Sequence, residues 1–466
     1  MTARRLSCLV LAAALLLGAC GVGGGGGSDA SPTTTAPKEL GGKAVLAKLR
    51  HAVAYVETPI GSGSAVLTHD GYLVTNAHVV DPFDVADVTF DGEGPLLDVP
   101  VVGVDLDADI AVLGPVRGSR PEVAIDDPSG LDQGSTLFLV GYPGDQDDPQ
   151  VTITSGLLSR RREVEEWGFH FLQSDAKIAP GQSGGALVDD RGEVIGISGL
   201  SDDDGYTLAF AGGDVDRAVD AIRAGKGSDW EPAPHRGREQ EATFHLEGAD
   251  DYRLAYFPAA DEDRTVTVHV DGPDPVVELD DAGLYPLALN QAAADLGSIT
   301  GSADDEGGIP DPTEPDADGG WTFTIDAGYP AVLFVGTRAD RATAATLRSS
   351  IPFAVVAGDP RVRRLEADGH RVTGTLGYFD AQQVFSLDLA KGQQVDVRAS
   401  SASGDVAYRL VPPGSTFRQA DEVDGGGGGL FGADAEGTET AEAAGTYRLY
   451  VYQVEGVATG FHLTVG

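Results

Sequence analysis

The sequence predicts an all-β protein built of several domains. Two observations carry this expectation. The chain has 64 glycines and 26 prolines among 466 residues, which favours turn-rich β architecture over helical bundles. Short apolar runs separated by turn pairs also recur along most of its length. Such a length exceeds one ordinary domain and points to about two to four. Hydrophobic residues make up 41%, enough to fill real cores.

The N-terminal stretch begins with Arg4 and Arg5, runs through apolar Leu9–Leu17 and ends Leu17-Gly18-Ala19-Cys20. That core is too short to span a bilayer and fits a secretory signal. The ending resembles the lipobox of bacterial lipoproteins, which implies a signal peptide over 1–19 and acylation of Cys20 as the first mature residue. Cleavage there discards Cys8 and leaves one lipidated Cys, so no intramolecular disulfide is available and folding rests on packed cores. Gly23–Gly27 and the Ser, Thr, Ala and Pro of Ser28–Pro37 cannot bury apolar surface, and 20–40 reads as a flexible tether.

Ordered sequence starts near Lys43, where Val45, Leu46 and Leu49 have helical spacing. Strands are then expected at Val53–Val56, Ser64–Leu67, Tyr72–Thr75, Val85–Phe90, Leu97–Val104, Ile110–Leu113, Thr136–Val140, Val151–Ser155, Phe169–Gln173, Ala186–Val188, Val194–Ser198 and Thr207–Ala211. Asp70-Gly71 and Asp91-Gly92 supply two of the turns. This spacing suggests barrels or a sandwich. An amphipathic helix over Asp214–Ala224 follows, with Gly225 and Gly227 available to stop it. The first folded domain therefore spans 41–226, and the polar seam 227–240 reads as a linker.

Beyond the linker the chain repeats. Asp251, Tyr256 and Thr265–Val270 match Asp380, Phe385 and Gln394–Ala399 at an offset of 129, and Ala327-Gly328-Tyr329 with Val332–Val335 matches Ala444-Gly445-Thr446-Tyr447 with Leu449–Tyr452 at 117. Two β-sandwich modules are expected, 241–352 and 353–466, the first interrupted by the acidic Ser302–Gly320 loop.

A formal charge of −41, from 73 acidic against 32 basic residues, repels phosphate backbones and anionic lipid. Nucleic acid is excluded as a partner, and the Cys20 anchor is the one membrane contact expected. The nine His lack a His-Glu-x-x-His or Cys-x-x-Cys frame, so neither metal nor cofactor is implied. Asp202–Asp204 and Asp304–Glu306 lack EF-hand spacing and read as solvated loops rather than calcium sites. Gly425–Gly429 is followed by no Lys-Ser/Thr and reads as a hairpin loop, not a phosphate loop.

Three stretches carry chemistry. Thr75-Asn76-Ala77-His78-Val79 offers a base, Asp109-Ile110-Ala111-Val112-Leu113 a carboxylate at the mouth of a strand, and Pro180-Gly181-Gln182-Ser183-Gly184-Gly185 a hydroxyl in a glycine turn. A Ser hydroxyl is a weak nucleophile and needs an imidazole to take its proton. His78 fills that role, and Asp109 holds it in one tautomer and offsets its charge once protonated. The amides of Gly181 and Ser183 converge on one oxygen as an oxyanion hole.

These motifs resemble the trypsin-like serine proteases, specifically the bacterial HtrA/DegP-type branch, with His78, Asp109 and Ser183 at intervals of 31 and 74 residues. The resemblance covers roughly Lys43–Ala224. It implies a chymotrypsin-like double β-barrel with the cleft between the barrels, an acyl-enzyme mechanism, and protein or peptide substrates in an exported, envelope-bound setting. It also implies a substrate pocket at Lys177, Ile178, Ser198 and Ala209, where Lys177 either favours an acidic P1 side chain or, the preferred reading, points outward to solvent. Gln182 departs from the usual Asn, with little effect expected because the position lends its backbone. No PDZ loop follows. Val372-Thr373-Gly374, Ala444-Gly445-Thr446-Tyr447 and Gly460-Phe461-His462-Leu463 instead resemble the bacterial pre-peptidase C-terminal module, which implies accessory binding of a protein or cell-wall ligand. The alternative is a non-catalytic envelope lipoprotein using the protease fold as a scaffold.

If Cys20 is the anchor, Cys20→Ser moves the protein from the membrane to the soluble fraction. Retention in the membrane fraction refutes the lipid attachment.

Overall fold

Among the described residues, alternate burial along short strands closes two barrels. Six strands make the first: β1 (Val53–Thr58), β2 (Gly61–Leu67), β3 (Leu73–Thr75), β4 (Val85–Phe90), β5 (Leu96–Asp105) and β6 (Ile110–Leu113), ordered β1-β2-β3-β6-β5-β4. The second uses β7 (Thr136–Gly141), β8 (Thr152–Val164), β9 (Phe169–Ser174), β10 (Ala186–Asp189), β11 (Val194–Ser201) and β12 (Thr207–Ala211), ordered β10-β11-β12-β9-β8-β7. In β1, Ala54 and Val56 join Ala65, Leu67, Leu73 and Phe90 inside the first barrel. Val53 and Tyr55 point the other way, into a core shared by both barrels with Val66, Val140 and Tyr142. Two buried faces explain why this strand reads as an unbroken apolar run.

The computed structural model describes residues 39–466 apart from 145–148, 165–166, 202–205, 231, 247–251, 282–314, 317, 340, 357–361, 378, 380–381, 402–403, 416–419, 425–434 and 454–458. The expected signal peptide, Cys20, Asp202–Asp204, Asp304–Glu306, Gly425–Gly429 and the repeat partners Asp251 and Asp380 lie outside the described residues. The tether expected to reach residue 40 ends earlier, because the Leu40 amide donates to the Asp190 carbonyl at 2.5 Å.

Helix α1 (Gly42–Leu49) buries Val45 and Leu49 in the shared core. A single turn, α2 (Ala77–Val80), is too short to show a sequence period. Helix α3 (Gly212–Arg223) buries Val215, Ala218, Val219 and Ile222 against both barrels and stops where expected. Its stop pairs the Gly225 amide with Ile222 at 2.9 Å and the Lys226 amide with Ala221 at 2.8 Å. Strand β8 runs well past the expected Val151–Ser155, since its charged Arg160–Arg162 still pair with β9.

The stretch 227–240 is not a free linker. Trp230 Nε1 donates to Asp81 Oδ1 at 2.6 Å and the His235 amide to Asp84 Oδ1 at 2.8 Å. Ala233 enters an apolar cluster with Phe83 from the first barrel and Leu254, Tyr256, Phe334 and Phe379 from the C-terminal half. Two apolar anchors in a polar run thus fasten the halves together.

The C-terminal sheets share one strand plan. The order Glu239–Leu246, Thr343–Val356, Arg264–Asp271, Trp321–Ile325 is matched by Arg371–Leu376, Thr459–Val465, Gln394–Ser401, Ala435–Thr440. Registers match too: Tyr256 stands opposite Val332 and Phe385 opposite Leu449, the same offsets of 129 and 117 found in the sequence. The expected boundary at 352/353 falls inside a strand. Thr343–Val356 pairs first with Glu239–Leu246 and then, through Val355, with Ala255, so it links the strands of the first unit into one sheet. The second unit keeps a five-stranded and a four-stranded sheet around one core of Phe385, Leu387, Val397, Tyr408, Leu449 and Phe461.

Trp230→Phe removes a donor from the buried Asp81 carboxylate, and a loss of about 1–3 kcal/mol is expected. An unchanged melting temperature contradicts that assignment.

Candidate active site

Strand β3 delivers Asn76 and His78 to the edge of the first barrel, and the β5–β6 turn delivers Asp109. Asp109 is 1% exposed and adopts a left-handed backbone, φ 47°, tolerable for Asp. That geometry turns its carbonyl toward α2, where it accepts from Asn76 Nδ2 at 2.9 Å and from the Ala77 amide at 3.2 Å. Both carboxylate oxygens serve His78: Oδ1 accepts its amide at 3.0 Å, and Oδ2 lies 2.8 Å from Nδ1. This fixes the tautomer with hydrogen on Nδ1 and leaves Nε2 as the basic nitrogen. Burial works against a charged imidazole, but the Asp109 charge and hydrogen bond outweigh it, and the His78 pKa is raised above the ordinary 6.5.

The nucleophile turn joins β9 to β10. Gly181 and Gly184 have φ of 85° and 80°, and a side chain at Gly184 would overlap the Ser64 carbonyl and the Thr75 hydroxyl. The Gly144 amide holds the Pro180 carbonyl at 2.6 Å. Because a trans amide points its N–H opposite its C=O, the Gly181 N–H is turned away from Gly144. Neither the Gly181 nor the Ser183 amide meets a protein acceptor among the described residues. Ser183 Oγ donates to the Gly199 carbonyl at 3.2 Å, and no hydrogen bond joins it to His78 among the described residues.

Two residues missed in the sequence hold these parts together. Ser64 is fully buried; its amide donates to the Ser183 carbonyl at 2.7 Å and its hydroxyl to the Gly181 carbonyl at 2.9 Å. Strand alternation puts Ser64 on the same face of β2 as Val66, toward the second barrel, and that was its only signal. Gln182, expected to lend only its backbone, is 1% exposed: Oε1 accepts the Ala179 amide at 2.8 Å and Nε2 donates to Thr152 Oγ1 at 3.0 Å. Its longer side chain reaches β8 and ties the turn to the barrel.

The pocket residues fare differently. Lys177 is exposed, as read, and Ile178 is half-buried. Ser198 and Ala209 line no open pocket. The Ser198 hydroxyl is committed to the Gln182 and Gly185 carbonyls, and Ala209 belongs to the interior cluster with Leu172, Leu187 and Ile195.

A family model described as the trypsin-like peptidase domain matches residues 61–197. This stretch is similar to the trypsin-like peptidases. Its sequence is similar to that of HhoB of Synechocystis sp., named as a serine protease, at 36% identity over 158 residues, 32% of this chain and 37% of that protein. A protein of Halomonas elongata, named as a DegP-like periplasmic serine endoprotease, is 36% identical over 141 residues, 30% of this chain and 29% of that protein. The chain thus spans 37% and 29% of the length of these curated relatives. A solved HtrA-type protease, AlgW with a tripeptide, aligns at 27% identity and a TM-score of 0.36 over 40% of this chain and 64% of its own. The match stops at residue 197 inside β11, so β12, α3 and most of the apolar cluster that fastens the C-terminal half lie outside it.

In ring NMR titrations His78 should titrate above 6.5, and Asp109→Asn should lower that value by removing the charge that sustains it. An unmoved titration would contradict the pairing.

Proposed function

We propose that this chain is a serine endopeptidase of the bacterial envelope, exported and anchored through acylated Cys20. One observation carries the reading: a buried carboxylate commits both oxygens to His78, 2.8 Å away at Nδ1, in a stretch similar to the trypsin-like peptidases that also holds Ser183 in its glycine turn. Ser183 Oγ swings from Gly199, passes its proton to His78 Nε2 and bonds to the substrate carbonyl carbon. The Gly181 and Ser183 amides donate to the oxygen that becomes negative. His78 then protonates the departing amine, leaving an acyl-enzyme, and water repeats the sequence to release the acid. Asp109 orients His78 and stabilises the imidazolium.

The envelope setting is supported by the periplasmic naming of the Halomonas elongata relative and by the lipobox-like Leu17-Gly18-Ala19-Cys20. The C-terminal units act as β-sandwich modules that bind protein or cell-wall ligands.

A second reading keeps the fold as a non-catalytic scaffold. It draws on the Ser183 hydroxyl, which donates to Gly199 rather than His78. A fluorophosphonate probe separates the two. The peptidase reading expects covalent labelling of the wild type that disappears in Ser183→Ala. No labelling of the wild type, or equal labelling of both, would falsify it and leave the scaffold.

A further inference from the structure

The last strand of the chain, Thr459–Val465, touches the peptidase domain at two places. Gly460 and His462 lie two residues apart and so face the same side of their strand. Gly460 sits on the β5–β6 turn that carries Asp109. Its amide approaches the Leu106 carbonyl at 3.4 Å, and a methyl group added to it would overlap the Asp107 carboxylate. Only glycine allows this approach. His462 lies flat on Trp167, ring centroids 3.7 Å apart and planes 6° apart. Trp167 stands just before β9, the strand that runs into the Ser183 loop. One strand therefore bears on the first barrel beside Asp109 and on the second barrel at the β8–β9 turn, the end of β9 away from the Ser183 loop.

Within the first barrel the turn is held by Asn76 and Ala77 on the Asp109 carbonyl and by His78 on its carboxylate. Ser228 Oγ accepts the Leu106 amide at 2.8 Å, and Asp105 Oδ1 accepts the Ala108 amide at 3.0 Å within the turn. Partial burial, with a smaller contribution from the Asp105 charge, lifts the half-buried Asp107 carboxyl to about 6, in keeping with the close approach of Gly460.

We infer that Thr459–Val465 is an internal clamp across the two barrels, with Gly460 as a positioning residue for the acid–base pair and His462 as the contact that holds the second barrel against it. The inference rests on the peptidase reading for its consequence, not for its geometry. The site is divided between barrels, so its rate depends on their register, and a displacement of about 1 Å can cost on the order of a hundredfold. The C-terminal half is then a working part of the catalytic unit as well as a candidate binding module.

The test uses the full chain. Gly460→Val is expected to slow fluorophosphonate labelling and kcat by about tenfold with KM little changed, and adding Asp107→Gly to make room should restore most of the loss. His462→Ala, which removes the stack without inserting bulk, should slow labelling about threefold and shift the His78 ring resonance, a readout that needs no turnover. Labelling of a folded Gly460→Val at the wild-type rate overturns the clamp. Should that variant fail to fold, wild-type labelling together with an unmoved His78 resonance in His462→Ala overturns it. A wild type that never labels defeats the peptidase reading instead, and the His78 resonance in His462→Ala then still decides the clamp.

Discussion

The buried hydroxyl of Ser64 is the tie on which the site depends. A chemistry divided between two barrels needs them in register, and Ser64 connects them from the middle of β2: its amide and hydroxyl hold the Ser183 and Gly181 carbonyls, while its hydroxyl also accepts the Tyr142 amide at 2.8 Å. The Thr75 hydroxyl returns to the Ser64 carbonyl at 2.6 Å, one residue before Asn76. A short run of hydrogen bonds thus joins the base-bearing segment to the nucleophile turn. Inside a protein such bonds are strong and costly to leave unmade, so the arrangement is well determined even without substrate.

The acid–base half is supported differently. Asp109 is buried with a His78 donor on each carboxylate oxygen, which offsets the cost of desolvating it. The segments flanking that pair are in turn covered by the second half of the chain, through Trp230 on Asp81, Phe83 in the apolar cluster and Gly460 on the Asp107 turn. The two halves of the molecule meet beside the acid and the base, and again where His462 stacks on Trp167. The nucleophile turn is held by its own barrel and by β2.

Much of this was legible in sequence, and the limits follow from physics. The motif residues His78, Asp109 and Ser183 stand out because chemistry restricts residue type and order together. The barrel strands stand out because alternation and turn pairs are local signals. Ser64, Gln182 and Trp230 do not, since each acts through a partner at least 30 residues away, 117 for Ser64 and Gly181, and nothing nearby reports that distance. The repeat offsets located equivalent strands correctly, yet the 352/353 boundary cut Thr343–Val356, because a strand that serves two neighbours in turn has the same alternation as one that serves a single neighbour. Ser198 and Ala209 were misplaced for a related reason: a small or apolar residue fits a pocket wall and a barrel interior equally well.

Closure of the barrels also decides where another chain can join this one. A closed ladder gives every barrel strand two neighbours, and among the described residues only stretches such as Leu96–Pro100 and Arg160–Val164 pair on one side alone. The strands that form whole sheet edges belong to the C-terminal sheets, including Ala435–Thr440 with its exposed Glu436. Strand addition is thereby easiest in that half, and at Ala435–Thr440 it favours an added strand whose side chains offset negative charge.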